Sequence, residues 1–165
     1  MSGLATIEAV SPSGLCVACG IPQDSQYFDD SNFDDPPAVG SEVVLARFEL
    51  PAQYCGVLQY FSQFTDQNGI NRANVLTPGL EWRILLNSRA LFPYIALGHI
   101  VNPWGYGSFP VNIRLDENST IELVVRGVPS ANIPANPADR ISLVGGRLVG
   151  RYWYNASYGD VVSRP

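Results

Sequence analysis

Short apolar runs separated by turn residues dominate the central part of the chain, where no helical period persists for two turns. The clearest alternation lies in residues 110–126, where Val111, Ile113 and Leu115 alternate with polar residues before a polar turn. A second alternating run follows that turn at residues 121–125. Period-two alternation on both sides of a polar turn predicts a β-hairpin with one buried face.

Other apolar runs predict further strands. Regular strands are predicted at residues 42–50, 54–64 and 80–86, a short one near 5–10, and an irregular one at 91–101. Gly145-Gly146 predicts the turn of a closing hairpin, because two-residue hairpin turns need positive φ. About eight strands with turns roughly every ten residues, and no helix, predict an all-β, single-domain antiparallel sandwich. Several connections are long, which favours a jelly roll over an up-and-down barrel.

The composition changes sharply at residues 23–40. This stretch holds five Asp, no basic residue and two consecutive prolines. It predicts an extended acidic loop or arm outside the core, since long loops in compact domains are usually functional or disordered. The predicted organisation is therefore N-terminal strands and the arm over 1–41, a sandwich core over 42–155, and a tail over 156–165.

Charged residues are few, and the basic ones are all of one type. The 165 residues are 46% hydrophobic and only 15% charged, with a net charge of −5. Globular domains usually carry about 25% charged residues, so part of this surface is expected to be covered by a partner. All ten basic residues are Arg, which suits interfacial ion pairs because its planar fork pairs bidentately. Genomic composition is an equally good explanation of the Arg bias.

The same composition argues against several classes of partner. No basic cluster exists, so free nucleic acid is not expected to bind. The N-terminus lacks a basic region followed by an apolar core, so no signal peptide is predicted. No apolar run approaches the roughly 20 residues that span a bilayer, so no membrane association is predicted.

Metal and cofactor sites have weak support in the sequence. Cys16 and Cys19 could form a zinc site with Cys55 and His99, but a second pair at close spacing is missing. Buried thiols that pack as small apolar side chains are the favoured interpretation. The paired Asp residues of 29–35 lack the glycine and final Glu of a calcium loop. We predict neither a metal nor a cofactor.

Catalytic motifs are also missing from the sequence. It contains neither a G-x-S-x-G nucleophile elbow nor an H-E-x-x-H motif. Two of the carboxylates beside the predicted strands could in principle form a glycosidase pair, and the candidates are Glu49, Glu81, Asp116 and Glu122. One carboxylate per exposed strand is equally typical of any solvated sheet face, and we predict that the protein is not an enzyme.

Aromatic and arginine side chains are the best candidates for contacts. The glycine-rich loop 102–109 and the late strand around residues 151–154 concentrate rings that can anchor an interface or stack on sugars. Arg72, Arg89 and Arg151 are candidates for ion pairs between subunits. The predicted interface residues are Tyr27, Phe28, Phe33, Arg72, Arg89, Trp104, Tyr106, Phe109, Arg151 and Trp153.

The order of these pieces resembles small all-β structural proteins of tailed bacteriophages. The resemblance rests on a strand ending at Leu50-Pro51, on LEWRILLN and IRLDENSTIELVVRG, and on a late RLVGRYWYN, and it covers roughly residues 42–155. It implies a non-enzymatic virion component, such as a capsid decoration, collar, neck or fibre protein. Such a protein would be made in the bacterial cytoplasm and would bind its own copies and neighbouring virion proteins.

Two alternatives stay open. A carbohydrate-binding domain of a tail fibre would use the aromatic loop, with Trp104 as its key residue and a glycan as its ligand. A β-sandwich enzyme is the least favoured alternative, since cupin-type metal sites need several histidines and the chain has one.

Overall fold

Eight strands account for most of the chain that the computed structural model describes, which is residues 21, 25–66, 79–91, 108–131 and 133–154. In chain order they are β1 (Gln26–Asp34), β2 (Glu42–Glu49), β3 (Tyr54–Thr65), β4 (Leu80–Leu86), β5 (Arg89–Ala90), β6 (Ser108–Leu115), β7 (Thr120–Gly127) and β8 (Val144–Tyr154). One short 3-10 helix, Pro137–Asp139, lies between the last two strands.

The strands form two four-stranded antiparallel sheets, which we call the first and second sheets. The first has the order β1-β8-β3-β6, and the second has the order β2-β7-β4-β5. Apart from the short β4–β5 hairpin, each strand is followed in the chain by a strand of the opposite sheet. This double-sheet arrangement of eight strands is a jelly roll. The predicted all-β sandwich with jelly-roll topology is confirmed.

Alternation along the strands builds the core between the sheets. The buried cluster draws Leu58, Phe61 and Leu148 from the first sheet and Trp82 and Leu123 from the second. Successive side chains of a strand point to opposite faces, so each sheet turns one apolar row inward. Each sheet therefore has one outer face, and these two faces are the candidate functional surfaces.

The regular strands predicted at residues 42–50, 54–64 and 80–86 are confirmed as β2, β3 and β4. Asn87 and Ser88 form the turn after β4 with φ of 51° and 63°. Positive φ at both central residues is the geometry of a type I′ hairpin turn. The strands predicted near residues 5–10 and over most of 91–101 lie outside the described residues.

The predicted hairpin at residues 110–126 is wrong in its pairing. Both strands exist, as β6 and β7, but β6 pairs with β3 and β7 pairs with β2 and β4. The polar turn between them, where Ser119 N donates to Asp116 O at 3.2 Å, carries the chain from one sheet to the other. Alternation indicates that a strand has a buried face and leaves its partner undetermined.

The predicted closing hairpin at Gly145-Gly146 is also wrong, because both glycines lie inside β8. They make room for side chains. A Cβ on Gly146 would lie 2.8 Å from side-chain atoms of Leu45 and Leu123 of the opposite sheet. A Cβ on Gly145 would lie 2.6 Å from the Phe33 ring on the outer face. These glycines therefore serve close packing within a strand.

The predicted arm at residues 23–40 is corrected in its main part, because residues 26–34 are strand β1 at the edge of the first sheet. Phe28 is buried, and its ring stacks on Phe48 of the second sheet with centroids 4.0 Å apart. Asp30 Oδ2 accepts a hydrogen bond from Arg47 N at 2.7 Å, which ties the two edge strands together. Deleting residues 23–40 would therefore remove part of the sandwich.

Candidate interaction surface

The outer face of the second sheet is dominated by charge, and we call it the charged face. Its strands contribute Glu42, Arg47, Glu49, Glu81, Arg83, Glu122 and Arg126. Arg47 Nε lies 3.6 Å from Glu122 Oε1 across the strand pair, and Arg83 lies 3.4 Å from Glu81. Opposite charges on neighbouring strands are typical of a sheet face that meets water.

The outer face of the first sheet is different, and we call it the aromatic face. It presents Tyr27, Phe33, Cys55, Val57, Tyr60, Phe64, Val149 and Trp153, together with Arg114, Arg147, Arg151 and Asp29. Tyr27 is 64% exposed, Phe33 56% and Tyr60 41%. Exposed antiparallel sheet faces usually carry polar side chains. An exposed cluster of rings therefore marks this face for contact.

One edge of the aromatic face is organised around Gly145. In register, this glycine of β8 lies between Phe33 of β1 and Phe64 of β3. Because Gly145 has no side chain, the two rings approach across it, edge to face, with centroids 5.3 Å apart. The arrangement lays the Phe33 ring against the sheet while leaving more than half of its surface exposed.

Arg151 is the cation at the centre of the other half of this face. Its guanidinium lies 4.2 Å from the Tyr27 ring centroid and donates to Tyr27 Oη and, at 3.4 Å, to Ser25 Oγ. Cation–π contacts of this kind hold an arginine in place at modest energy. Within the described residues no carboxylate pairs with Arg151, and its Nε is buried without an acceptor.

Asp29 and Arg147 form the ion pair of the aromatic face. Arg147 Nε donates to Asp29 Oδ1 at 2.7 Å, and a second nitrogen donates to Oδ2. The hydrogen bond from Arg147 lowers the pKa of the Asp29 carboxyl below its usual 3.8, against a smaller opposing effect of burial. This pair uses the only acidic side chain on the described part of the face.

Asp29→Asn is expected to destabilise the protein at neutral pH and to have little effect in acid. Because the folded-state pKa of Asp29 is lowered, its contribution is present above 3.8 and is lost as the pH falls through the folded value. The pair is half exposed, so the difference from wild type at pH 7 should be about 1 kcal/mol or less. Urea unfolding at several pH values measures it. Arg147→Gln should give the same profile, and a difference that persists unchanged in acid would contradict the assignment.

An acidic edge lies where the chain passes from β1 in the first sheet to β2 in the second, and we define it as Asp34, Asp35, Val39 and Glu42. All four side chains are exposed, and Val39 is 57% exposed. In the described part of the chain none of its three carboxylates pairs with an arginine. The sequence from residue 23 to 46 has six acidic residues and no basic residue. Among the described residues, this edge therefore carries carboxylates without an arginine partner, and the aromatic face carries Arg151 without a carboxylate partner.

The structure separates those predicted interface residues that it describes into three groups. Tyr27, Phe33, Arg151 and Trp153 meet on the aromatic face. Phe28 is a core residue, and Phe109 packs inward on Phe61 with ring centroids 5.3 Å apart, so for these two the prediction is corrected. Arg89 is exposed on β5 in the other sheet. Arg72, Trp104 and Tyr106 lie outside the described residues.

Sequence reasoning missed Tyr60, Phe64, Val149 and the Asp29–Arg147 pair. The signal for Tyr60 was hidden by a β-bulge, where the register of β3 shifts between Leu58 and Tyr60. A bulge breaks the two-residue period on which a face assignment depends. Alternation resumes after the bulge. The face of the sheet on which Phe64 lies can therefore be assigned only when the position of the bulge is known.

The arrangement of the carboxylates in the described part of the chain fits a structural role better than a catalytic one. The four candidates for a glycosidase pair each form an ion pair with an arginine; they are Glu49, Glu81, Asp116 and Glu122. Burial raises the pKa of the Cys55 thiol, which suits a packing residue better than a nucleophile. Cys16, Cys19 and His99 lie outside the described residues.

Among the described residues, no group of three or more His, Cys, Asp or Glu side chains is placed to hold a metal ion. The same part of the chain contains no helix long and apolar enough to cross a membrane.

Comparison with known proteins gives no family. No protein-family model matches the chain, and no curated protein matches it. Similar solved structures include infectious bursal disease virus of the Gt strain, with 10% identity over 85% of this chain and 36% of that chain, and a TM-score of 0.44. The VP2 subviral particle of infectious bursal disease virus has 12% identity over 86% and 35%, with a TM-score of 0.44. The Gx strain has 13% identity over 82% and 33%, with a TM-score of 0.42.

The chain thus spans about a third of the length of these viral chains. At such low identities and TM-scores the likeness carries no conclusion about partners or activity. The class of protein is defined by the strand order itself: an eight-stranded jelly roll with one charged and one aromatic outer face.

Proposed function

We propose that this chain is a non-enzymatic structural protein of a virion, and that it acts by assembling with its own copies and with neighbouring virion proteins. The observation that carries the proposal is the aromatic face, where Tyr27, Phe33 and Tyr60 are exposed on one side of a sheet. Exposed apolar clusters of this kind mark surfaces that bind other proteins. Aromatic and Arg side chains are also the residues enriched at protein interfaces.

The jelly-roll topology supports a virion role, because this arrangement recurs in viral capsid domains. Lectins and cupins share it, so the topology alone does not separate these functions. The sequence pattern that resembles tailed-phage proteins supports a bacteriophage source. Within a phage particle, we propose a capsid decoration or cement protein, or a collar or neck component between head and tail.

Size-exclusion chromatography with light scattering tests the assembly. We expect a mass that is a defined multiple of the 18.0 kDa chain, and ring-like or shell-like particles by negative-stain electron microscopy. A stable monomer throughout the micromolar range, alone and with the products of neighbouring genes, would contradict the proposal.

The genes beside the coding sequence provide an independent test of the virion role. Genes for a portal, a capsid or a head–tail connector are expected next to it. A neighbourhood of metabolic genes alone would count against a virion protein, while tail-fibre genes would favour the fibre alternative.

Carbohydrate binding is a second candidate, and a different part of the sandwich favours it. Tyr54, Tyr152 and Tyr154 cluster where β3 begins and β8 ends, with ring centroids 5.6–5.7 Å apart. Tyr152 Oη donates to Gln26 Oε1 at 2.6 Å, and Tyr154 Oη donates to Gln53 Oε1 at 3.3 Å. Rings beside amide groups offer stacking and hydrogen bonds to a sugar.

If a glycan binds there, Tyr154→Ala should abolish binding on a glycan array and leave the oligomeric state unchanged. Tyr154 is 54% exposed, so its removal should cost little stability. A blank array for the wild-type chain would remove this candidate.

A further inference from the structure

The aromatic face cannot easily meet a second copy of itself. Its described charges are three arginines, Arg114, Arg147 and Arg151, against the single acid Asp29. Arg147 is already paired with Asp29, and Arg114 is paired with Asp116 at the end of β6, so Arg151 is the one arginine of the described face without an acidic partner. Two such faces brought together would place an uncompensated Arg151 on each side with no acid to receive it, and like charges opposed at an interface weaken binding.

The acidic edge has the complementary chemistry. Asp34 and Asp35 are exposed, and neither has an arginine partner in the described part of the chain. Val39, 57% exposed, adds an apolar contact beside them. An exposed valine flanked by carboxylates fits a surface of rings that contains an unpaired guanidinium.

We propose that the aromatic face of one copy binds the acidic edge of the next copy, with Arg151 taking a carboxylate of Asp34 or Asp35. This inference rests on the proposed self-assembly and specifies its contact. The occupant of the aromatic face is thus a second copy of this chain.

The geometry of such a contact has a consequence for the assembly. It joins two different surfaces, so it is heterologous and repeats from copy to copy in one direction. A heterologous contact produces a ring or a closed shell when its rotation closes, and a filament when it does not. A two-fold dimer with the same patch on both partners is not expected.

Charge reversal tests the contact in the full chain. Arg151→Glu should raise the concentration at which the assembly dissociates by about tenfold or more, because it places acid against acid. Asp34→Arg with Asp35→Arg should do the same from the other side. The three substitutions combined in one chain should restore assembly, since each new arginine then meets the new glutamate.

Two further variants keep the test independent of folding. Tyr60→Thr removes a ring from the aromatic face, keeps a residue suited to a strand, and should also weaken assembly. Arg89→Glu makes the same charge change on the other sheet. Although the sequence pattern made Arg89 an ion-pair candidate, the contact proposed here does not involve it, so this variant should assemble like wild type. Far-UV circular dichroism and thermal unfolding show whether each variant is folded.

The outcomes separate the two proposals. A wild-type chain that never assembles would overturn the proposed function. A wild-type chain that assembles while Arg151→Glu and Tyr60→Thr, both folded, assemble as well as wild type would overturn only the assignment of the surface. Loss of assembly in Arg89→Glu but not in Arg151→Glu would move the contact to the second sheet.

Discussion

Trp82→Ala is expected to lower the free energy of unfolding by about 3–5 kcal/mol, the usual range for truncating a fully buried tryptophan. Trp82 is 0% exposed on β4 and packs within the core cluster. Removing the indole loses its buried apolar area and leaves a cavity between two sheets that cannot readily collapse. Domains have a total stability of roughly 5–15 kcal/mol, so this single change would consume a large part of it.

Urea unfolding followed by far-UV circular dichroism measures the effect without relying on tryptophan emission. Trp82→Phe is the matched control. Within the described residues the indole Nε1 has no hydrogen-bond acceptor, so phenylalanine should lose volume and no hydrogen bond. We expect Trp82→Phe to cost about 1–2 kcal/mol, because it leaves a smaller cavity than alanine does. A control as damaging as Trp82→Ala would show that the indole N–H is bonded after all.

Gly150→Ala is expected to cost about 3 kcal/mol, at the upper end of what overpacking usually costs. A Cβ at this position of β8 would lie 2.3 Å from Val57 O and 2.4 Å from the Phe28 ring. Val57 O belongs to the backbone of the neighbouring strand, and Phe28 is buried, so neither can move freely. The strand must therefore shift to admit one methyl group.

Gly145→Ala is the matched control on the same strand. Its Cβ would also meet a ring, that of Phe33 at 2.6 Å, but Phe33 is 56% exposed on the outer face and can swing toward water. We expect a cost of about 1 kcal/mol or less. Thermal unfolding measures both variants. If they lose the same stability, the cost of the added methyl group does not depend on how freely the neighbouring group can move.

The fold class could be predicted because it depends on short-range patterns in the sequence. The runs that became β2, β3 and β4 bury one row of apolar side chains, and Asn87-Ser88 supplies residues that tolerate positive φ. Alternation, turn residues and strand length all act over a few positions. Such features are visible in the chain before it folds.

The sequence did not reveal which strands pair or what the glycines do. Gly145 and Gly146 have the composition of a turn, yet they lie in β8 because Phe33, Leu45 and Leu123 fill the space above them. Residues 26–34 have the composition of a loop, yet β8 pairs along all nine of them. In both cases a contact distant in sequence outweighs the local preference.

For the candidate surface, the sequence identified some of the residues but not their arrangement. Tyr27, Phe33, Arg151 and Trp153 stood out as aromatic or cationic residues, and the sequence by itself established that the chain is a β-sandwich carrying such side chains. Only the tertiary structure decided that they share one outer face, that Phe28 does not, and that the acidic edge lies at the crossing from β1 to β2. The physical reason is that a residue's type is local, while its neighbours depend on the pairing of strands far apart in the chain.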